Sequence, residues 1–347
     1  MNTTQIVRAI DLGYGYVKYT ARNRQSDCPP LVQCAFPSMA LPGASAASRH
    51  DIEGLRAPKI LPVVVREMSY IVGPDTPLLL AGQTGRALGP DYSRSTIYEA
   101  LMLGTLAYIG EHAIDYLVLG LPVSRYDQER KRLQSLYSGN LNTPMPGEQE
   151  RTQSTEVKNV IVVPQPVGGF VASKAEAEDG GKSWRGATLV IDPGYFTFDW
   201  VVVSESNAYV ASRSGAVHGG MSQIIRAIAD QIEHETGLHI NNTHPIDTAI
   251  RSGDSVHFGP HEIPIVKYRG VIESRAKAYV ADMVGRLGER NDIRRVVLCG
   301  GGAKLIRNAI EDALPAWEVI VARDSAYANL RGFQMIGESI GRLAVAA

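Results

Sequence analysis

Asp11-Leu12-Gly13-Tyr14-Gly15-Tyr16-Val17-Lys18 follows a short apolar run, Ile6 to Ile10. Glycine breaks that strand, and Tyr16 to Ala21 alternates as a returning one, so the stretch predicts a hairpin with a glycine tip. Glycines let backbone N–H groups turn toward an anion without a side-chain clash. Lys18 lies beyond the turn, within reach of phosphate oxygens. Asp11 ends its strand, where a carboxylate can hold a hydrated magnesium ion. Taken alone, the motif reads more readily as a plain tight hairpin with a surface lysine.

A second stretch changes that weighting. Asp192-Pro193-Gly194-Tyr195-Phe196-Thr197-Phe198-Asp199 again sets an acid at the end of an apolar strand, then a turn, then a strand. Leu189 to Ile191 and Asp199 to Val203 are its arms, and Thr197 offers a hydroxyl to phosphate. Acid, glycine and order all repeat, which predicts a degenerate duplication of two similar halves. Two such turns facing each other would clamp one polyphosphate from both sides. Tyr195 and Phe196 have the rings to stack on a ligand, although packing beneath the loop is the simpler role.

A third motif is Val296-Val297-Leu298-Cys299-Gly300-Gly301-Gly302-Ala303. A glycine run between a strand and a helix lets a flat ring or ribose lie against backbone near a helix N-terminus. It is neither the dinucleotide G-x-G-x-x-G pattern nor a Walker loop. Gln165 stands between Pro164 and Pro166 at a strand end. A glutamine there can orient an attacking water, though a capping glutamine is the plainer reading. His234, His239, His244, His257 and His261 lack metal-ligand spacing and read as surface or loop residues. No G-x-S-x-G elbow occurs.

Bulk properties narrow the class. The chain has 347 residues, 44% apolar and 20% charged, with a net charge of −1. That suffices for two ordinary globular domains. It gives no reason to expect direct nucleic-acid or membrane binding. The three cysteines, Cys28, Cys34 and Cys299, form no C-x-x-C pair, and an odd number argues against a disulfide framework. With no signal-like N-terminus and no apolar run near the ~18 residues of a membrane span, the expected address is the cytoplasm.

The remaining pattern is α/β with a mixed sheet. Helices are expected over 93–110, Tyr126 to Tyr137, from about Gly168, over Ser222 to Glu235 with a stop at Gly237, over Arg269 to Leu287, to Leu314, and over Ala326 to Leu343. Further strands are expected within 61–82 and at Tyr116 to Leu119, Val160 to Val163, Arg295 to Cys299 and Val319 to Ala322. Val256-His257-Phe258 and Ile263-Pro264-Ile265 predict a hairpin. Residues 41–60 and Ala177 to Arg185 read as loops, and 139–156 as a loop or weak hairpin.

In order, these motifs resemble the actin superfamily. Asp11–Lys18 resembles its first phosphate motif, Val160–Gly168 its first connecting segment, Ile191–Thr197 its second phosphate motif and Leu298–Ala303 its adenosine motif. Within it, the chain is similar to the ParM/StbA plasmid-segregating actins. Ser95–Ile109, Leu117-Val118-Leu119-Gly120-Leu121-Pro122, Pro164-Gln165-Pro166 and Asn329-Leu330-Arg331-Gly332-Phe333 carry that likeness. The resemblance implies the actin/sugar-kinase (ribonuclease H-like) fold, two similar domains flanking a nucleotide cleft. Domain I would be 1–165 plus 331–347, with a small insert at about 36–92, and domain II would be 166–330.

It also implies ATP or GTP with Mg2+, hydrolysis coupled to filament assembly, and a DNA-bound adaptor protein of a plasmid partition system. Asp11 and Asp192 would serve the metal and the chemistry. Gln165 would position water. Gly13, Tyr14, Gly15, Lys18, Gly194, Tyr195 and Thr197 would hold phosphate, and Gly300, Gly301 and Gly302 would lie against adenosine. Glu233 and Glu235 are both open as ribose contacts. The second motif departs from the family's small residues at Pro193, Tyr195 and Phe196. A small-molecule kinase of the same fold and a non-polymerising scaffold are the competing functions. The first needs a cleft acid to deprotonate a hydroxyl. The second often brings an amphipathic tail, for which Gly341 to Ala347 is short and weakly basic.

Overall fold

The computed structural model describes residues 5–23, 30–43, 55–80, 86–146 and 151–346. Cys28, and the parts of the expected loops at 44–54 and 147–150, lie outside the described residues. Two mixed sheets are built on one plan. The first holds β1 (Val7–Leu12), β2 (Tyr16–Arg22), β3 (Leu31–Pro37), β7 (Ala113–Leu121), β8 (Gly139–Pro144) and β9 (Thr152–Pro164), in the order β3-β2-β1-β7-β9-β8. The second holds β10 (Ala187–Pro193), β11 (Thr197–Val203), β12 (Gly215–His218), β15 (Ile293–Leu298) and β16 (Glu318–Val321), in the order β12-β11-β10-β15-β16.

In each sheet three strands run antiparallel and the next two continue parallel from the central one. Thus β3-β2-β1-β7-β9 matches β12-β11-β10-β15-β16 strand for strand, the duplication that the repeated turns predict. β1, β10 and β11 are buried at every residue, as expected of central strands covered on both faces. A small sheet, β4 (Leu41–Pro42), β6 (Met68–Val72) and β5 (Leu61–Val65), is inserted in the first half, and β13 (Ser255–Phe258) pairs with β14 (His261–Pro264) in the second.

Eight helices complete the described fold: α1 (Thr96–Ile109), α2 (Tyr126–Leu136), α3 (Gln165–Asp179), α4 (Met221–Thr236), α5 (His244–Ser252), α6 (Arg269–Leu287), α7 (Ala303–Ala313) and α8 (Ala328–Ala346). Helices α3 and α8 cross between the sheets. There the Gly332 backbone meets that of Gly168 so closely that a Cβ on Gly332 would overlap it. One large apolar cluster fills each half, and Tyr195 packs against both.

Several expectations need correction. Helix α3 starts at Gln165, not near Gly168. Proline in a first helical turn needs no N–H partner, so Pro166 begins the helix instead of delaying it. The same helix runs to Asp179, into the expected 177–185 loop. β9 starts at Thr152, where alternate polar residues face outward and weaken the pattern, and it pairs with β8 as a hairpin. Helix α5 was not expected. It buries Ile246, Ala249 and Ile250 and ends on Gly253 in the left-handed conformation. Half-buried His244 therefore opens a helix and does not sit in a surface loop.

Candidate functional site

The two glycine turns face each other across a cavity of about 60 Å3. Each closes in the same way. The Gly13 N–H donates to the Tyr16 carbonyl at 3.2 Å, and the Gly194 N–H donates to the Thr197 carbonyl at 2.9 Å. The turns therefore superpose in kind as well as in sequence. The glycine run is tied to the second turn, because the Gly302 N–H donates to the Pro193 carbonyl at 3.2 Å. Gly300 has φ +79°, and a Cβ there would collide with the Asp192 carboxylate. Only glycine satisfies both demands.

Apart from Glu233 and Glu235, every residue singled out from the sequence for catalysis, metal or cofactor lines this cavity: Asp11, Gly13, Tyr14, Gly15, Lys18, Gln165, Asp192, Gly194, Tyr195, Thr197 and Gly300 to Gly302. Their side chains differ in what they do. Asp11 accepts from the Gln165 amide at 2.8 Å and pairs with Lys18 Nζ at 3.1 Å. Burial opposes the charge on Lys18, yet Asp11 and then Asp192 outweigh it and hold its pKa above the ordinary lysine value. Tyr14 donates its hydroxyl to the Gly89 carbonyl at 2.8 Å and stacks on Tyr92. Its ring thus belongs to the first core. The Tyr195 ring lies against Gly15 and under the Arg86 guanidinium, 4.5 Å from its centroid. Phe196 packs on Tyr14 with ring centroids 4.7 Å apart.

Asp192 accepts from the Asn329 amide at 2.6 Å. Burial pushes its carboxyl up to about 6, with Lys18 opposing and Asp11 adding. Asp199, directly across the hairpin from Asp192, also lines the cavity. Burial raises it to about 7, opposed by the Thr197 hydroxyl and increased by Asp192; the Val123 N–H, donating at 2.8 Å, opposes it too.

Asp199, Asn329 and Arg251, which also borders the cavity, were missed in the sequence. Asn329 had a signal in Asn329-Leu330-Arg331-Gly332-Phe333, but nothing local ties it to Asp192. Neither Glu233 nor Glu235 lines the cavity. Glu233 accepts from the Ile240 N–H and Arg226, and Glu235 accepts from Lys267 and Tyr268.

The donors are oxygens of Asp11, Asp192, Asp199, Gln165 and Thr197, the chemistry of a hard cation. Among the described residues no cluster of three or more acidic, histidine or cysteine side chains forms a ready cage. Magnesium held by one or two carboxylates plus phosphates and water needs none, so Asp11 and Asp192 fit it. A larger hollow of about 550 Å3 lies between α5, α6 and α7. Ile250, Ile272 and Leu305 form apolar wall, and Leu305 follows closely on the glycine run.

Comparison with known proteins bears on the family and the fold. Residues 9–168 match the family described as actin like proteins N terminal domain, and residues 190–312 match archaeal actin homologue MreB-like, C-terminal. Together these cover most of the chain, which belongs to the actin-like proteins. No curated protein sequence matches it. Among solved structures, the archaeal actin homologue Ta0583 in complex with ADP is 20% identical, over 96% of this chain and 100% of that one, with a TM-score of 0.75. A 15-stranded ParM filament from Clostridium botulinum is 18% identical over 97% and 100%, at 0.73. The actin-like protein Alp7A is 14% identical over 99% and 98%, also at 0.73. At these identities the likeness establishes the shared fold. No helix among the described residues is long and apolar enough to cross a membrane.

Proposed function

We propose that this chain is a magnesium-dependent ATPase that assembles into filaments, of the ParM kind that segregates plasmid DNA through a DNA-bound adaptor in the cytoplasm. The observation that carries the reading is the pair of equivalent acid–glycine turns closing on one cavity beside a glycine run. Gly13, Gly15 and Gly194 leave room for a phosphate chain, and Lys18 meets its charge. The base lies along Gly300 to Gly302, with the apolar wall at Leu305 beyond. Asp11 and Asp192 would hold magnesium, which shields phosphate charge when bound. Gln165, anchored on Asp11, orients the attacking water, so catalysis is positioning and electrostatics. Domain limits at 165/166 and 330/331 belong to the same proposal. So does head-to-tail contact between copies that does not close into a ring.

The test is assembly. Purified protein with ATP and magnesium is expected to scatter light, pellet and show filaments by electron microscopy, with GTP run in parallel. Absence of nucleotide-dependent assembly across protein concentrations and salts would sink the polymer reading. One observation favours a second reading, a phosphotransferase of the same fold. Asp199 is a buried cavity acid whose pKa of about 7 suits a general base. Stimulation of ADP release by a polyol or sugar would support it.

A further inference from the structure

Arg251 sits on α5, in the second half of the molecule, and reaches the first. Its guanidinium lies 4.8 Å from the centroid of the Tyr16 ring, at the end of the first turn. Its Nη1 rests against Gly301, 2.8 Å from where a Cβ would be. Only Nε is engaged, donating to Asp247 at 3.0 Å. Neither Nη atom has a hydrogen-bond partner among the described residues. Asp247 is buried, with its Oδ2 unpartnered, so it fixes the root of the guanidinium and leaves the fork free. A third of the Arg251 side chain is exposed, so a ligand can reach it.

The cavity beside this fork is acidic beyond its own means. Asp11, Asp192 and Asp199 line it against Lys18 and Arg251. It measures about 60 Å3, and Arg251 is part of its wall. Arg251 is the wall residue with both freedom and suitable chemistry. A guanidinium fork binds phosphate through two parallel N–H donors, whereas a tyrosine face gives a cation–π contact worth less.

We propose that Arg251 is a phosphate-contacting residue, stored on the Tyr16 face until the ligand's phosphate oxygens take it. This rests on the nucleotide reading above. Phosphate then replaces Tyr16 as the link between halves, held by Lys18 from one and Arg251 from the other. Arg86 serves as the built-in control. It also crosses to the other half through a tyrosine, Tyr195, but its Nη1 already donates to the carbonyls of Tyr14 and Gly15 at 3.2 and 2.8 Å.

Binding of ATP, ADP and uncharged adenosine is measured by calorimetry on the full chain with magnesium. Arg251→Gln is expected to weaken ATP and ADP by about tenfold or more and leave adenosine within about twofold. Arg251→Lys, which keeps charge and loses the fork, is expected to fall between. Tyr16→Leu is expected to bind ADP at least as tightly as the wild type. Equal loss for adenosine and ADP in Arg251→Gln would overturn the phosphate assignment. So would the same loss in Arg86→Gln or Tyr16→Leu, which would make the residues mere straps. Thermal melts check that each variant folds, and Arg251→Lys keeps the test open should Arg251→Gln melt early. A wild type that binds no nucleotide defeats the nucleotide reading. A wild type that binds, with Arg251→Gln unchanged, defeats only the role of Arg251.

Discussion

The two hairpins share a backbone and differ in charge. In the first, Asp11 stands opposite Lys18; in the second, at the same register, Asp192 stands opposite Asp199. Both turns close through the same glycine N–H bond. The first acid thus has a cation of its own, while the second has another acid and borrows Lys18 from across the cavity. Burying like charges is unfavourable unless something positive joins them. The frame is shared, and one strand position leaves the second hairpin without a cation of its own.

If that asymmetry matters, the second acid is the more sensitive one. Asp192→Ala is expected to lower magnesium-nucleotide affinity by about a hundredfold or more and to abolish hydrolysis. Titration calorimetry with and without magnesium checks this. Near-normal affinity would mean that the second hairpin is structural and the chemistry sits with Asp11. A smaller effect is expected at the first hairpin. Gln165→Ala removes the amide that holds Asp11 at 2.8 Å. It should keep nucleotide binding within about twofold and slow turnover by about a hundredfold. Wild-type turnover in steady-state phosphate release would take Gln165 out of the mechanism.

How far the sequence reveals this site depends on how local each requirement is. Asp11, Gly13, Asp192, Gly194 and Gly300 are legible because a strand end, a tight turn and a positive φ each leave a residue signature within a few positions. Asn329 is not, since its partner Asp192 lies 137 residues away and an asparagine at a helix start has many simpler uses. Arg251 is hidden because α5 is short and opens on His244-Pro245, so no helix is expected there from the sequence. Glu233 and Glu235 show the opposite error. Acids on a correctly placed helix, α4, satisfy neighbours of their own, and helical periodicity does not say which acids face a cleft. Strand pairing fared better in the centre than at the edge. β10 and β11 are buried at every residue, whereas β12 and β3 are half-exposed edges with weak alternation.

The last test separates the paired acids by pH. Asp199 has a folded-state pKa of about 7 and Asp192 about 6, both raised by burial. An acid whose pKa is raised on folding favours the folded state while protonated there. That contribution is full below the unfolded carboxyl value and is lost as pH climbs through the folded one. Without ligand, the wild type is therefore expected to melt a few degrees higher near pH 5 than near pH 8 on account of this pair. Asp199→Asn keeps an oxygen for the Val123 N–H and the Thr197 hydroxyl and removes the charge. It should raise the melting temperature at pH 8 by a few degrees and flatten the profile between pH 6 and 8, leaving the Asp192 step below. An unchanged profile would mean that Asp199 is not the acid responsible. Saturating magnesium and nucleotide should shrink the difference between wild type and variant, because the cation then supplies the charge that the second hairpin lacks.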